Sequence, residues 1–175
     1  MSSEIDVGIL GATGTVGQEF VAALENHPWF RVTWIAASER SAEKRYADAA
    51  CWQLSREIPQ EIGEMLVNRC VPADSPSLIF SGLDSAVAGE VEAAFAVSGR
   101  TVVSNARNYR MEPDVPLLIP EINPDHLGLL QQQSETRQWP GQIVTNPNCS
   151  TIVMTLALAP LCQFGLRQVM VTTLQ

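Results

Sequence analysis

Cys149 is the residue in this sequence best placed for covalent chemistry. It follows Asn146-Pro147-Asn148 and precedes Ser150-Thr151 and a long apolar run, so its sulfur falls in the first turn of a helix, near the positive end of the dipole. That position favours the thiolate, and a thiolate at the carboxyl end of a parallel strand can attack an acyl carbon. The other cysteines, Cys51, Cys70 and Cys162, read as small buried hydrophobes. No CxxC spacing occurs and only two histidines are present, which indicates neither a zinc site nor a disulfide framework; reduced thiols and no metal are expected. Neither histidine is an obvious base. His27 stands beside Pro28 and Trp29 at a helix end, and His126 opens a short surface helix.

The second chemical signal is Gly11-Ala12-Thr13-Gly14-Thr15-Val16-Gly17, a GxxGxxG variant of the dinucleotide fingerprint. It follows an apolar run and opens a helical pattern. Glycines there let backbone amides approach a pyrophosphate, and the helix N-terminus offers unpaired N–H groups. Thr13 and Thr15 add hydroxyl donors or cap the helix. A tight strand-to-helix turn with no ligand is the alternative reading.

After the second apolar run come Ser38, Glu39, Arg40 and Ser41, with Lys44 beyond. Arg40, Ser38 and Ser41 suit a 2′-phosphate and point to NADP, whereas Glu39 could be the acid that holds an NAD ribose; a solvated charged loop is the third possibility. Arg107 and Arg110, in Ser104-Asn105-Ala106-Arg107-Asn108-Tyr109-Arg110, follow another apolar run and could bind a phosphate or carboxylate, or lie on the surface.

These groups need a frame, and the pattern of the chain supplies one. Short apolar runs alternate with helical patterns throughout, which predicts an α/β fold with a parallel, doubly wound, Rossmann-like sheet. Strands are expected at Ile5 to Leu10, Arg31 to Ala37, Met65 to Val71, Leu78 to Ser81, Thr101 to Ser104 and Gln142 to Thr145, with a last one from Val169 to Gln175. A helix carrying Val16, Phe20, Val21 and Leu24 on one face follows the glycine turn, and another carrying Val87, Val91, Ala94 and Phe95 closes at Gly99. The prolines make Arg110 to Pro124 an irregular or edge segment. Short and long helices are then expected over Asp125 to Gln132 and Ser150 to Leu161, the latter stopped by Gly165. The Val169 to Gln175 strand has no evident ladder partner upstream, so apolar surface is expected to be exposed there.

Composition narrows the function. The 175 residues are 46% hydrophobic and 17% charged, with a formal net charge of -8 and Lys44 the one lysine, which argues for a packed domain and against nucleic-acid binding. No run reaches the ~18 apolar residues of a membrane helix, and the acidic start MSSEIDVGIL does not look like a signal peptide. A cytoplasmic protein is expected.

Three blocks, GATGTVG, SNARNYRMEPDVPLLIPEIN and IVTNPNCST, together closely resemble the aspartate-semialdehyde dehydrogenases, particularly their archaeal and fungal branch. The resemblance spans nearly the whole chain but only the N-terminal half of the family. It implies NADP-dependent, reversible reductive dephosphorylation of L-4-aspartyl phosphate to L-aspartate 4-semialdehyde, on the route to lysine, threonine and methionine. On that basis Cys149 carries a thioacyl intermediate, Asn148 helps position the acyl oxygen and Gln175 orients the substrate. Gly11, Thr13, Gly14, Thr15 and Val16 hold the pyrophosphate, Ser38, Arg40 and Ser41 the 2′-phosphate, and Asn108 with Arg110 the substrate phosphate. The family continues into a second α/β domain with a substrate-binding arginine, a histidine acid/base and much of the interface of a homodimer or homotetramer. Residues 1–149 are thus expected to be the dinucleotide-binding domain, and residues 150–175 the first helix and strand of a catalytic and dimerisation domain that is largely absent.

Two other functional readings stand beside this one: a noncatalytic NADP-binding remnant or regulatory module, and a malonyl-CoA reductase-like enzyme, since that family is similar in these blocks. An interaction protein without nucleotide is the remaining possibility, resting on the acidic surface and the exposed strand.

Overall fold

The computed structural model describes residues 4–174. Its centre is a six-stranded, all-parallel sheet in the order β3-β2-β1-β4-β5-β6. The chain runs β1 (Ile5–Leu10), α1 (Thr15–Ala23), β2 (Phe30–Ala37), α2 (Tyr46–Ala49), α3 (Gln60–Gly63), β3 (Asn68–Arg69), β4 (Leu78–Ser81), α4 (Ser85–Val97), β5 (Thr101–Ser104), α5 (Leu129–Arg137), β6 (Gln142–Thr145) and α6 (Cys149–Leu158). The order reverses between β1 and β4, the topological switch point at whose carboxyl ends open α/β sheets bind ligands.

Strand alternation splits the core in two. Val7, Ile9, Ile35 and Ala37 face a cluster with Val21, Leu24, Tyr46 and Ile62, whereas Leu10, Trp34, Ala36 and Ile79 face Phe95, Ala96, Val102 and Ile143. With both faces covered, the middle strands are continuous apolar runs, which is why they are legible in sequence. The edge at β6 is closed by side chain and loop. Gln133, buried on α5, accepts from the Ile143 N–H at 2.7 Å and donates to its carbonyl at 3.0 Å, standing in for a neighbouring strand. Beyond it, the Thr145 N–H donates to Pro116 O and the Leu118 N–H to Thr145 O, both at 2.8 Å, so the proline-rich segment lies along β6.

Several expectations change. The Met65 to Val71 strand shrinks to two residues, pairing only with Ala36 and Ala37 at the tip of β2. The inward face of α4 comprises Ala88, Glu92, Phe95 and Ala96, while Val87 and Ala94 are exposed: the stripe is rotated because Glu92 is drawn inside by serine hydroxyls. On α1 the buried positions are Gly17, Gln18, Val21 and Ala22, with Val16 and Phe20 half-buried. The short helix is a 3₁₀ turn, Pro124–Gly128, leading into α5, and the long one yields after Leu158 to a second 3₁₀ turn, Ala159–Phe164, where Pro160 lacks the N–H an α-helix needs. No strand forms over 169–174, and none of the six strands pairs with that segment; Gln175 lies outside the described residues. Val153, Phe164, Met170 and Leu174 are among the exposed apolar residues of this last part. Among the described residues no helix is long and apolar enough to cross a membrane.

Candidate functional site

The glycine turn is built by close packing. Gly11 has φ +72°, and a Cβ on Gly17 would lie 2.1 Å from the Gly11 carbonyl oxygen, so neither position accepts a side chain. A Cβ on Gly82, just after β4, would come within 2.9 Å of the Gly17 amide nitrogen, which seats α1 against the neighbouring strand end. Gly14 differs: its nearest neighbour would be 3.3 Å away, and its outer side is open. It caps α1 with no side-chain bond, leaving the first amides of the helix directed outward.

Two residues hold this turn from beneath. Buried Gln18 donates to the carbonyls of Thr13 and Cys51, each at 3.0 Å, and accepts from the Gln53 N–H at 2.8 Å. The buried Tyr46 hydroxyl donates to Ala12 O at 2.8 Å. Sequence reading passes over both; their signal is a polar group on the inward face of a short apolar helix.

In front of the turn lies a cleft of about 550 Å³, lined by Gly14, Thr15, Val16, the Gly82–Ser85 loop and, opposite, Asn105, Ala106, Arg107 and Arg110. It sits over the carboxyl ends of β1, β4 and β5. Glycine amides on one wall and two arginines on the other suit a group with several phosphates. The Gly14 opening is the cradle a Cβ would narrow, so the residues present fit a dinucleotide.

The second-strand cluster stands at the same end of the sheet. Ser38, Glu39 and Arg40 are exposed and Ser41 is half-buried, in a turn closed by Ser41 N–H to Ser38 O at 2.8 Å. Lys44 donates to the Arg40 carbonyl at 2.7 Å, whereas the Arg40 guanidinium makes no ion pair with a described residue.

Cys149 is exposed and is the first residue of α6, immediately beyond β6. Asn148 caps the helix: its Oδ1 accepts from the Ser150 N–H at 3.1 Å and the Ser150 hydroxyl at 2.6 Å, with the Cys149 sulfur 4.0 Å away. Arg110 is half-buried, its Nη2 donating to Asn105 O at 2.7 Å and its Nε buried with no partner among the described residues. Burial lowers the Arg110 pKa, and negative charge at Cys149 would act in the opposite direction. A side-chain link crosses the same strand ends: Asn146 Nδ2 donates to Asn105 Oδ1 at 3.0 Å.

Other residues fall elsewhere. The Asn108 amide donates to Ser85 O at 2.9 Å, tying its loop to the start of α4, and Asn108 does not line the cleft. His27 Nδ1 accepts from the Trp29 and Phe30 amides at 3.2 Å, at the amino end of β2 and away from the cleft; His126 is exposed on its 3₁₀ turn. Of the three cysteines expected to be buried, only Cys70 approaches this. Its thiol donates to Ala37 O and burial pushes its pKa up to about 11, with the Gly11 backbone acting the other way. Cys51 and Cys162 are exposed, Cys51 because its irregular segment is held by its backbone carbonyl rather than by side-chain packing, Cys162 because nothing among the described residues covers its turn.

Residues 6–130 match the family model "Semialdehyde dehydrogenase, NAD binding domain". Among curated proteins, the chain is 50% identical over 173 residues to an aspartate-semialdehyde dehydrogenase of Archaeoglobus fulgidus and 47% identical over 174 residues to that of Methanothermobacter thermautotrophicus. These alignments cover 97% and 98% of this chain but 50% of each relative, so the chain spans about half their length. Among solved structures, the aspartate-semialdehyde dehydrogenase of Candida albicans with NADP superposes with a TM-score of 0.84 at 40% identity, over 93% of this chain and 48% of that one. With a Rossmann-like sheet, a glycine turn at its switch point and this family match, the chain belongs to the semialdehyde dehydrogenase family and carries its NAD-binding domain.

Proposed function

We propose that this chain is the cofactor-binding half of an NADP-dependent aspartate-semialdehyde dehydrogenase that acts through Cys149. The observation that carries the reading is that the bond from Asn146 to Asn105 ties the segment leading into Cys149, the first residue of α6, to the loop whose Asn105 carbonyl holds the half-buried Arg110. The named relatives support the substrate, and the Candida albicans enzyme, whose structure is with NADP, supports the cofactor.

Gly11, Thr13, Gly14, Thr15 and Val16 hold the pyrophosphate against the first turn of α1, and Ser38, Arg40 and Ser41 receive the 2′-phosphate. NADPH, when bound, supplies the hydride. Arg110 binds the phosphate of L-4-aspartyl phosphate and sets its acyl carbon before the Cys149 sulfur. Asn108, drawn from its contact with Ser85, shares that phosphate. The thiolate attacks the carbon, a C–S bond forms, and the C–O bond to phosphate breaks with its electron pair leaving on phosphate. Asn148 steadies the acyl oxygen. Cys149 holds the acyl group while it is reduced; the C–S bond then breaks, the pair returns to sulfur, and L-aspartate 4-semialdehyde departs. Gln175 orients the substrate. Residues 1–149 form the dinucleotide domain and residues 150–175 begin a second, catalytic and dimerisation domain. The whole protein assembles as a homodimer or homotetramer and serves lysine, threonine and methionine synthesis.

A noncatalytic dinucleotide-binding role is favoured by one observation: neither histidine reaches the cleft. The deciding experiment is phosphate-dependent NADP reduction with L-aspartate 4-semialdehyde, by this chain and its Cys149→Ala variant. Activity lost in the variant supports the cysteine mechanism. Inactivity of both with NADP binding intact means a cofactor-binding half that needs its partner, and continued inactivity after the remaining half of the protein is supplied supports the noncatalytic module.

A further inference from the structure

We propose that Glu92 is a positioning residue for the cleft, fixing the spacing of its two walls and thereby the guanidinium of Arg110; the link to ligand rests on the reading of Arg110 as a phosphate-binding group. Glu92 is fully buried on α4, at a helix position whose neighbours on the same face are Ala88, Phe95 and Ala96. A glutamate there replaces an apolar residue that would pack without desolvation cost, so its polar bonds must offset that cost.

Those bonds converge on the strand ends that carry the cleft. Glu92 Oε1 accepts from the Ser81 hydroxyl at 2.6 Å and from the Ser104 hydroxyl at 2.7 Å. Ser81 and Ser104 are the last residues of β4 and β5 and are register partners. The chain leaves Ser81 into the Gly82–Ser85 wall and leaves Ser104 into the Asn105–Arg110 wall. One oxygen therefore ties both walls at their roots.

The tie continues into the Arg110 loop. Ser104 Oγ also accepts from the Ala106 N–H at 3.0 Å, the Asn105 N–H donates to Ser81 O at 3.0 Å, and Asn105 O receives the Arg110 Nη2 bond. Tyr109 donates from its hydroxyl to Gly89 O at 2.6 Å, attaching the same loop to α4 one turn before Glu92. Glu92 does not line the cleft, so its action passes through the serines. A carboxylate is suited to this because a charged acceptor takes two hydroxyl donors in short, strong bonds. The amide oxygen of glutamine can take the same two donors, with its Nε2 at the place of Glu92 Oε2, which is buried and accepts no bond from a described residue.

The test compares the 175-residue chain with Glu92→Gln, Glu92→Ala, the milder Ser104→Ala, and Ile62→Ala, a core change on the far face of the sheet. Amide hydrogen exchange reads the walls without any ligand. Exchange at Asn105 and Ala106 is expected to accelerate about tenfold or more in Glu92→Ala and Ser104→Ala, to stay near wild type in Glu92→Gln, and to be unaffected there by Ile62→Ala. Unchanged exchange in Ser104→Ala and Glu92→Ala, or an equal rise in Ile62→Ala, overturns the proposal. Binding of inorganic phosphate, followed at Arg110 by NMR, reads the consequence: about tenfold weaker in Glu92→Ala and restored in Glu92→Gln. Wild-type chain that binds no phosphate overturns the reading of Arg110 instead, and leaves the exchange comparison to decide the role of Glu92.

Discussion

The hydroxyl of Tyr46 meets the carbonyl of Ala12 at 2.8 Å across 34 residues of sequence, fastening the glycine turn to α2 from inside the core. Burial pushes the Tyr46 pKa up, so the phenol remains a donor at any ordinary pH. Tyr46→Phe keeps the ring and deletes only this bond, leaving the Ala12 carbonyl unsatisfied. It is expected to cost about 1–3 kcal/mol in urea unfolding and to weaken NADP binding, since the turn loses its anchor. Wild-type stability in this variant would show that the bond does not hold the turn.

Gly14 and Gly17 separate ligand approach from folding. Gly17→Ala places a methyl 2.1 Å from the Gly11 carbonyl and is expected to destabilise the chain by at least about 3 kcal/mol. Gly14→Ala has 3.3 Å to its nearest atom and a φ of -78° that alanine accepts, so the fold should survive. Its methyl narrows the pyrophosphate approach, and NADP affinity should fall by about tenfold or more at unchanged melting temperature. Calorimetric binding beside a thermal melt gives both values.

On the proposed reading, Arg40 carries the cofactor preference. Its guanidinium has no carboxylate partner among the described residues and stands exposed at the tip of β2. Arg40→Ala is expected to weaken NADP binding about tenfold and leave NAD binding nearly unchanged. Equal losses for both cofactors would remove Arg40 from the 2′-phosphate site.

Asp114 makes the fold acid-sensitive. Its carboxylate is bound by Arg137 Nε and, at 2.7 Å, by Arg137 Nη2, and these bonds hold its pKa below the usual carboxylate range against the effect of burial. A depressed folded-state pKa stabilises the fold above the unfolded value of about 3.9, and that contribution drains away as pH falls through the lower, folded value. Asp114→Asn should cost about 3 kcal/mol at pH 7 and flatten the loss of stability below about pH 4. Melting temperature against pH for both proteins checks it.

Glu92 acts in the opposite sense. Burial raises its pKa despite the two serine hydroxyls, so the folded chain binds a proton more readily than the unfolded one, and stability falls as pH rises from the unfolded value of about 4.3 to the folded one. In Glu92→Gln this declining limb should disappear, making the variant relatively more stable at neutral pH than in mild acid. A stability profile parallel to wild type above about pH 4 would contradict it.

The helix faces mark where one-dimensional pattern stops being sufficient. On α4 periodicity puts the apolar residues Val87 and Ala94 inside, yet Glu92 takes an inward place because two serines wait for it at the ends of β4 and β5. The segment 169–174 is β-branched and apolar, but a strand needs a ladder partner, and none of the six strands pairs with it. In each case the local preference is real and a distant partner decides the outcome.

Local spacing along the chain is enough to specify the alternation of buried parallel strands and helices, the glycine turn at a strand-to-helix junction and the cysteine in the first turn of a helix. Each depends on neighbours within a few residues. Folding in three dimensions was needed to lay β1 and β4 side by side, so that the glycine turn faces the Asn105–Arg110 loop across one cleft, and to make Gln18, Tyr46, Glu92 and Gln133 internal hydrogen-bonding posts. A buried polar side chain is held by whichever backbone or hydroxyl groups the strand order brings to it, and that order is set by packing across the whole sheet rather than by any local run of residues.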